Sequence, residues 1–137
     1  MGLFYLYYIC KKIITMYFSF IIPVYNRPDE IDELLESLSN LKTESTFEVV
    51  VIEDGSTISC EHLIEKYSSK LFVSYYFKPN SGPGDSRNYG MKIAKGDYYI
   101  ILDSDCIIPE DYLQHVIQSL QNDYVDCFGG PDAALDS

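Results

Sequence analysis

In the stretch YYIILDSDCIIPEDYLQ, Tyr98 to Gln114, an apolar run meets two aspartates one residue apart, Asp103 and Asp105, before apolar residues resume. Two carboxylates held close repel unless positive charge lies between them, and a divalent cation carrying a polyphosphate is the economical candidate. A hard ion such as Mg²⁺ or Mn²⁺ takes few protein oxygens and keeps the rest of its shell for water and phosphate. A second acidic pair, Glu53-Asp54, ends the apolar run FEVVVIED and leads into Gly55-Ser56. A third polar cluster, Pro23-Val24-Tyr25-Asn26-Arg27, ends the run FSFIIPVY. Aspartate is common in turns, so an isolated D-x-D most often caps one. It is the position of this pair after a buried run, level with EDGS, that argues for a site.

Such residues need elements to bring them together, and the chain supplies alternating ones. The β-rich run Phe18 to Tyr25 is followed by NRPDEIDELLESLSNL, where Ile31, Leu34, Leu35, Leu38 and Leu41 recur at helical spacing. Pro28 suits the first turn of that helix, where its missing N–H is no loss, and Asp29, Glu30, Asp32 and Glu33 lie where the helix dipole favours negative charge. Next come the strand FEVVVIED, the short helix CEHLIEKYSS, the strand LFVSYYFK, the Gly/Pro loop PNSGPGDS and a helix around RNYGMKIAK. The strand DYYIIL, the helix PEDYLQHVIQSLQ and a last strand YVDCFGG complete the pattern. Strands separated by helices require right-handed crossovers, so the expected fold is α/β and Rossmann-like, a mostly parallel sheet with helices on both faces. In such a sheet ligands gather at the carboxyl ends of the strands, where all three polar clusters fall. Side-chain alternation along an extended strand would point Asp103 and Asp105 to one side and Ser104 to the other.

The whole composition narrows the function classes. At 137 residues the chain is about one domain's worth of sequence, and short for a complete two-substrate α/β enzyme. The 47% hydrophobic content, with 13 Tyr and 7 Phe, is that of a folded domain. A net charge of -11 repels a phosphate backbone and offers no basic stripe, which excludes nucleic acid as a partner. Cys10, Cys60, Cys106 and Cys127 form no C-x-x-C pair, so they read as reduced thiols of a cytosolic protein. Lys11 and Lys12 cut the apolar N-terminus into runs too short to span a bilayer, and the order of charge and apolar run is wrong for a secretory signal. Residues 1–15 are expected to be an upstream extension or a peripheral membrane anchor, and residues 16–137 the domain. His62 and His115 have no partner at ligand spacing, the tyrosines of Tyr75 to Phe77 and Tyr98-Tyr99 read as core packing, and GPGDS lacks the G-K-[ST] ending of a P-loop.

Taken in order, FSFIIPVYNRPDEIDELLESL, VVVIEDGS and GPGDSRNYGMKIAKGDYYIILDSD resemble the family-2 glycosyltransferases, the nucleotide-diphospho-sugar transferases of the GT-A fold. The resemblance runs from about Phe18 to Gly130. Each motif is weak alone, and their register together is what makes them specific. The resemblance implies transfer, with inversion, of a sugar from a nucleotide-diphospho-sugar, a UDP-sugar above all, to a sugar, lipid or glycan acceptor. Mn²⁺ or Mg²⁺ would be the cofactor, and the cytoplasm, with the inner face of the membrane, the location. Residue by residue, Pro23, Val24, Tyr25 and Asn26 would line the nucleoside pocket, largely with backbone groups, and Arg27 would extend that wall. Asp54 would hydrogen-bond the base, and Arg87 would approach the nucleotide-sugar. Asp103 would face the ribose or sugar and share the metal, which Asp105 ligates. Glu53 stands where the family more often has Asp. The second half of the family's catalytic domain supplies the acceptor site and an acidic base; Asp132 and Asp136 fall too soon in the chain to match that base. The chain therefore reads as a donor-binding half, with a non-catalytic nucleotide-sugar-binding or remnant domain as the alternative.

Overall fold

β1 (Tyr17–Val24) has no alternation of apolar and polar residues, and it is buried on both faces from Phe18 onward. An unbroken apolar strand of this kind belongs in the middle of a parallel sheet with cover on each side. The computed structural model, which describes residues 16–122, places it there. The sheet has four parallel strands in the order β3-β2-β1-β4, built from β2 (Thr46–Asp54), β3 (Val73–Lys78) and β4 (Tyr98–Ile101). Sequence order runs outward from β1 to β3, then returns to the other side of β1. The C-terminal ends of β1 and β4 therefore flank the point where the winding reverses, the usual crevice for a ligand.

One face of the sheet carries Phe18, Phe20, Ile22 and Val24 of β1 with Val49 and Val51 of β2. It is covered by Ile31, Leu34, Leu35 and Leu38 of α1 (Pro28–Ser39), Leu63 and Tyr67 of α2 (Glu61–Tyr67), and Leu113, Val116 and Leu120 of α4 (Tyr112–Asn122). The opposite face packs under α3 (Pro83–Ile93), which lies on β1 and β2. Gly90 makes this approach close, since a Cβ there would stand 2.4 Å from Ile21 Cγ2.

Three expectations change. α3 begins at Pro83, four residues before the expected start, because Pro83 occupies the first helical turn and Gly82, at φ 100°, turns the chain into it. β4 ends at Ile101, with Leu102 N–H still donating to Ile21 O before the chain leaves the sheet. Asp103 and Asp105 therefore sit in a turn closed by Cys106 N–H on Asp103 O, and strand alternation does not set their directions. The tyrosine runs divide: Tyr75 and Tyr98 pack against the core, whereas Phe77 and Tyr99, on the same two edge strands, are exposed. The expected strand Tyr124 to Gly130, and residues 1–15, lie outside the described residues.

Candidate functional site

At the end of β1, Pro23 and Val24 are buried and Tyr25 is exposed. Asn26 has a positive φ of 51°, which asparagine tolerates better than most residues. Its Oδ1 accepts from the N–H groups of Thr57 and Ile58 at 2.8 and 2.9 Å, and its own N–H donates to Ser56 Oγ at 2.9 Å. The Asn26 side chain is thus engaged in tying the β1 turn to the loop after β2. Arg27 is mostly exposed, with Nε 3.9 Å from Glu30 Oε1.

The acidic pair at the end of β2 splits between the two faces. Glu53, fully buried, turns toward α2, where its carboxylate accepts from Cys60 N–H at 3.1 Å, Ser59 Oγ at 3.1 Å and the Tyr75 hydroxyl. It anchors the start of α2 and faces away from the crevice. Asp54, 4% exposed, faces the other way. Its Oδ1 accepts from Lys78 Nζ at 2.5 Å and Ser81 N–H at 2.9 Å, and its Oδ2 from Gly82 N–H at 2.9 Å. Burial opposes ionisation of Asp54, yet Lys78 and the two backbone donors outweigh it and hold the carboxyl below its ordinary value. Burial also opposes the Lys78 ammonium, and Asp54 and Asp85 more than offset it, raising that group.

Beyond β4, Asp103 Oδ1 accepts from Arg87 at 3.0 Å. The buried Arg87 Nε–H has no partner among the described residues. Ser104 Oγ donates to Glu30 Oε2 at 2.8 Å, so the turn is fastened to α1. Asp103 and Asp105 are both exposed.

These pieces enclose a cavity of about 400 Å³ lined by Pro23, Val24, Tyr25, Arg27, Glu30, Asp54, Pro83 and the turn Asp103-Ser104-Asp105. The residues expected to act together are brought together, with two qualifications of geometry. Asn26 and Arg87 are not in the lining; Asn26 braces a loop, and Arg87 reaches the cavity through Asp103. Among the described residues no three His, Cys, Asp or Glu side chains converge into a cage for a metal. Two exposed carboxylates beside an open cavity nonetheless suit a hard ion that keeps most of its coordination for water and phosphate. Asp105 and Asp103 would hold such an ion.

Sequence reasoning passes over Lys78, Glu30 and Pro83, and it turns Ser104 away from the aspartate pair, whereas Ser104 lines the cavity beside both aspartates. Glu30 was read only as a helix N-terminal acid, and Lys78 lay at the end of a strand with no motif around it. Its signal is the register Asp54↔Lys78 between β2 and β3, which appears only once the strands are paired.

A parallel α/β sheet with an acid-lined crevice at its switch point defines a doubly wound α/β protein, the class whose ligands bind at the carboxyl ends of the strands. Comparison with known proteins then identifies the family: residues 19–134 match Glycosyl transferase family 2, and the chain belongs to it. The chain is 44% identical over 87 residues to an uncharacterized glycosyltransferase of Rickettsia bellii, covering 64% of this chain and 12% of that protein. It is 41% identical over 102 residues to the poly(ribitol-phosphate) beta-N-acetylglucosaminyltransferase TarS of Staphylococcus aureus, covering 72% of this chain and 18% of TarS. The crystal structure of S. aureus TarS in complex with UDP-GlcNAc superposes with a TM-score of 0.74 at 34% identity, over 85% of this chain and 37% of that one. A mannosyltransferase of Pyrobaculum calidifontis, solved with GDP-Man and Mn²⁺, shares the fold at a TM-score of 0.70 and 20% identity, over 85% of this chain and 39% of that one. The chain thus spans less than a fifth of the length of these two curated relatives.

Proposed function

We propose that the cavity binds the nucleotide-diphosphate part of a sugar donor, a UDP-sugar, with Mn²⁺ or Mg²⁺, as the donor side of an inverting glycosyl transfer to a sugar, lipid or glycan acceptor. The observation that carries this reading is the convergence of Pro23 to Tyr25, Asp54 and the Asp103 to Asp105 turn on one crevice at the switch point of the sheet. The names of the relatives support it, since TarS was solved with UDP-GlcNAc.

The lining also has a charge problem that a cation resolves. Glu30, Asp54, Asp103 and Asp105 face it, with Arg27 as the only basic residue of the lining among the described residues. A diphosphate entering alone would meet net repulsion; with a divalent ion at Asp105 it would meet attraction. A metal so bound supplies charge neutralisation on the leaving nucleoside diphosphate. The protein's own part is to seat the nucleoside against Pro23 to Tyr25 and to fix the Asp103 turn through Arg87 and Glu30. A cytoplasmic location with the acceptor at the inner membrane face accords with a donor of this kind.

Calorimetric titration with UDP tests the reading. UDP should bind at least about tenfold more tightly with Mn²⁺ than with chelator, a difference of roughly 1.4 kcal/mol, and Asp105→Ala should abolish the difference. Equal affinity with and without metal removes Asp105 from that role, and no UDP binding under either condition overturns the donor-site reading.

A further inference from the structure

Lys78 ends β3 on the face covered by α3, two residues after Tyr76, whose ring meets that of Tyr89 of α3 at 6.0 Å. It is 8% exposed, rare for an ammonium, which must satisfy its donors and charge when removed from water. All three donors have acceptors: Asp54 Oδ1 at 2.5 Å, Pro79 O at 3.1 Å and Ser81 Oγ. Asp85 Oδ2 lies 3.5 Å away as a second counter-charge. Asp54 in turn holds the loop, accepting from the N–H groups of Ser81 and Gly82, while its backbone oxygen accepts from Asn80 Nδ2 at 2.9 Å. One cation therefore lies between two carboxylates, one on the end of β2 and one in the first turn of α3. The two cavity-lining residues on this side, Asp54 and Pro83, both belong to that assembly.

We infer that Lys78 is a positioning residue of the nucleotide site, holding residues 79–82 and the first turn of α3 against Asp54 so that this wall of the cavity keeps its shape. The inference rests on the donor-site reading and deepens it. Without the ammonium, the buried Asp54 charge keeps only its backbone donors, and no cation stands between it and Asp85, which are linked through Ser81. Like charges so placed push apart, and the part free to move is the loop, since Asp54 is fixed in the ladder of β2. The effect falls on one end of the cavity. The Asp103 turn, at the other end, is held by Glu30 of α1 and by Arg87, which lies beyond the first turn of α3, and among the described residues no hydrogen bond or ion pair joins it to Lys78.

The test combines hydrogen exchange on the ligand-free chain with calorimetry. In Lys78→Met, the amides of Ser81 and Gly82 should exchange at least about tenfold faster while those of Val50 and Val51 in the centre of β2 stay protected. UDP with Mn²⁺ should bind roughly tenfold more weakly, whereas pyrophosphate with Mn²⁺, which uses only the Asp103 end, should bind as to the wild type. Adding Asp54→Asn to Lys78→Met removes that buried charge and should restore part of the loop protection, which a purely packing role of the lysine side chain would not predict. Where Lys78→Met does not fold, Lys78→Gln, which keeps a donor toward Asp54 but no charge, carries the same comparison. Unchanged exchange at Ser81 and Gly82, loss of protection spread evenly over the sheet, or equal weakening of UDP and pyrophosphate overturns the inference. Failure of the wild type to bind UDP at all would instead overturn the donor-site reading beneath it.

Discussion

Glu53 and Cys60 show how an acidic motif can serve the fold on one side and the cavity on the other. The Glu53 carboxylate is fully buried and accepts from Cys60 N–H, Ser59 Oγ and Tyr75. A hydrogen bond to a charged group contributes about 1.5–3 kcal/mol, so Glu53→Ala, which removes three of them, should lower unfolding free energy by at least about that amount in urea titration. The glutamate side chain is used to reach the start of α2 and turns away from the crevice. Burial first, and the Glu53 charge second, push the Cys60 thiol up to about 12. Thiolate is the reactive form, so iodoacetamide at about pH 8 should leave Cys60 unmodified in the native protein and alkylate it after denaturation. Peptide mass spectrometry reads this directly; rapid native alkylation of Cys60 would mean that the β2–α2 corner opens freely.

The contact of α3 with the sheet depends on a missing side chain. A Cβ at Gly90 would meet Ile21 Cγ2 at 2.4 Å, with Ile52 Cγ1 at 3.5 Å on the other side. Alanine in place of a mid-helix glycine gains about 1 kcal/mol in helix propensity, but overpacking a close contact costs about 1–3 kcal/mol. Gly90→Ala should therefore be net destabilising, and it should weaken UDP binding as well, because α3 carries Pro83 and Arg87 toward the cavity. A thermal melt that rises, with UDP binding intact, would show that α3 can lift from β1 without disturbing the site. At the far end of the sheet, Ser19 Oγ donates to Glu48 Oε1 at 2.7 Å and accepts from Gly96 N–H at 2.8 Å, so the α3–β4 connection is fastened at the end opposite the cavity.

Over the whole molecule, a net charge of -11 and a lining rich in carboxylates oppose an anionic ligand. In chelator, raising NaCl from about 50 to 300 mM should strengthen UDP binding by screening repulsion, and with Mn²⁺ present the trend should vanish or reverse. Salt that weakens binding in chelator would mean that Arg27 and Arg87 dominate the field at the phosphates. The Asp54–Lys78 pair sets a second global dependence. Asp54 is held below its ordinary value, so its stabilisation is present above the unfolded carboxylate pKa, near 3.9, and is lost as pH falls through the lower folded value. Lys78 is raised, so its share is complete below its unfolded pKa and lost only as strongly alkaline pH passes the folded value. Melting temperature should thus be flat in this respect across neutral pH and fall in acid, less steeply for Asp54→Asn combined with Lys78→Met than for the wild type.

Local rules were enough for the alternation of strands and helices, because apolar periodicity and the Pro28 turn signal act over a few residues. They also placed the polar clusters on one edge, since parallel strands share a direction and all end on the same side. Family motifs in register named Pro23 to Tyr25, Asp54, Asp103 and Asp105, and these residues do meet at one cavity. What the chain could not reveal by itself was partnership across the sheet. Lys78 lies 24 residues from Asp54, and Arg87 lies 16 from Asp103; each pair forms only because parallel strands and a crossover helix bring distant segments into contact. The directions of Asp103 and Asp105 likewise depended on where β4 stops, and that was decided by the last bond from Leu102 to Ile21, a tertiary contact between strands 81 residues apart in the chain counted from those two positions. Periodicity carries orientation within an element, whereas charge pairing and burial at the site depend on neighbours that only the folded chain supplies.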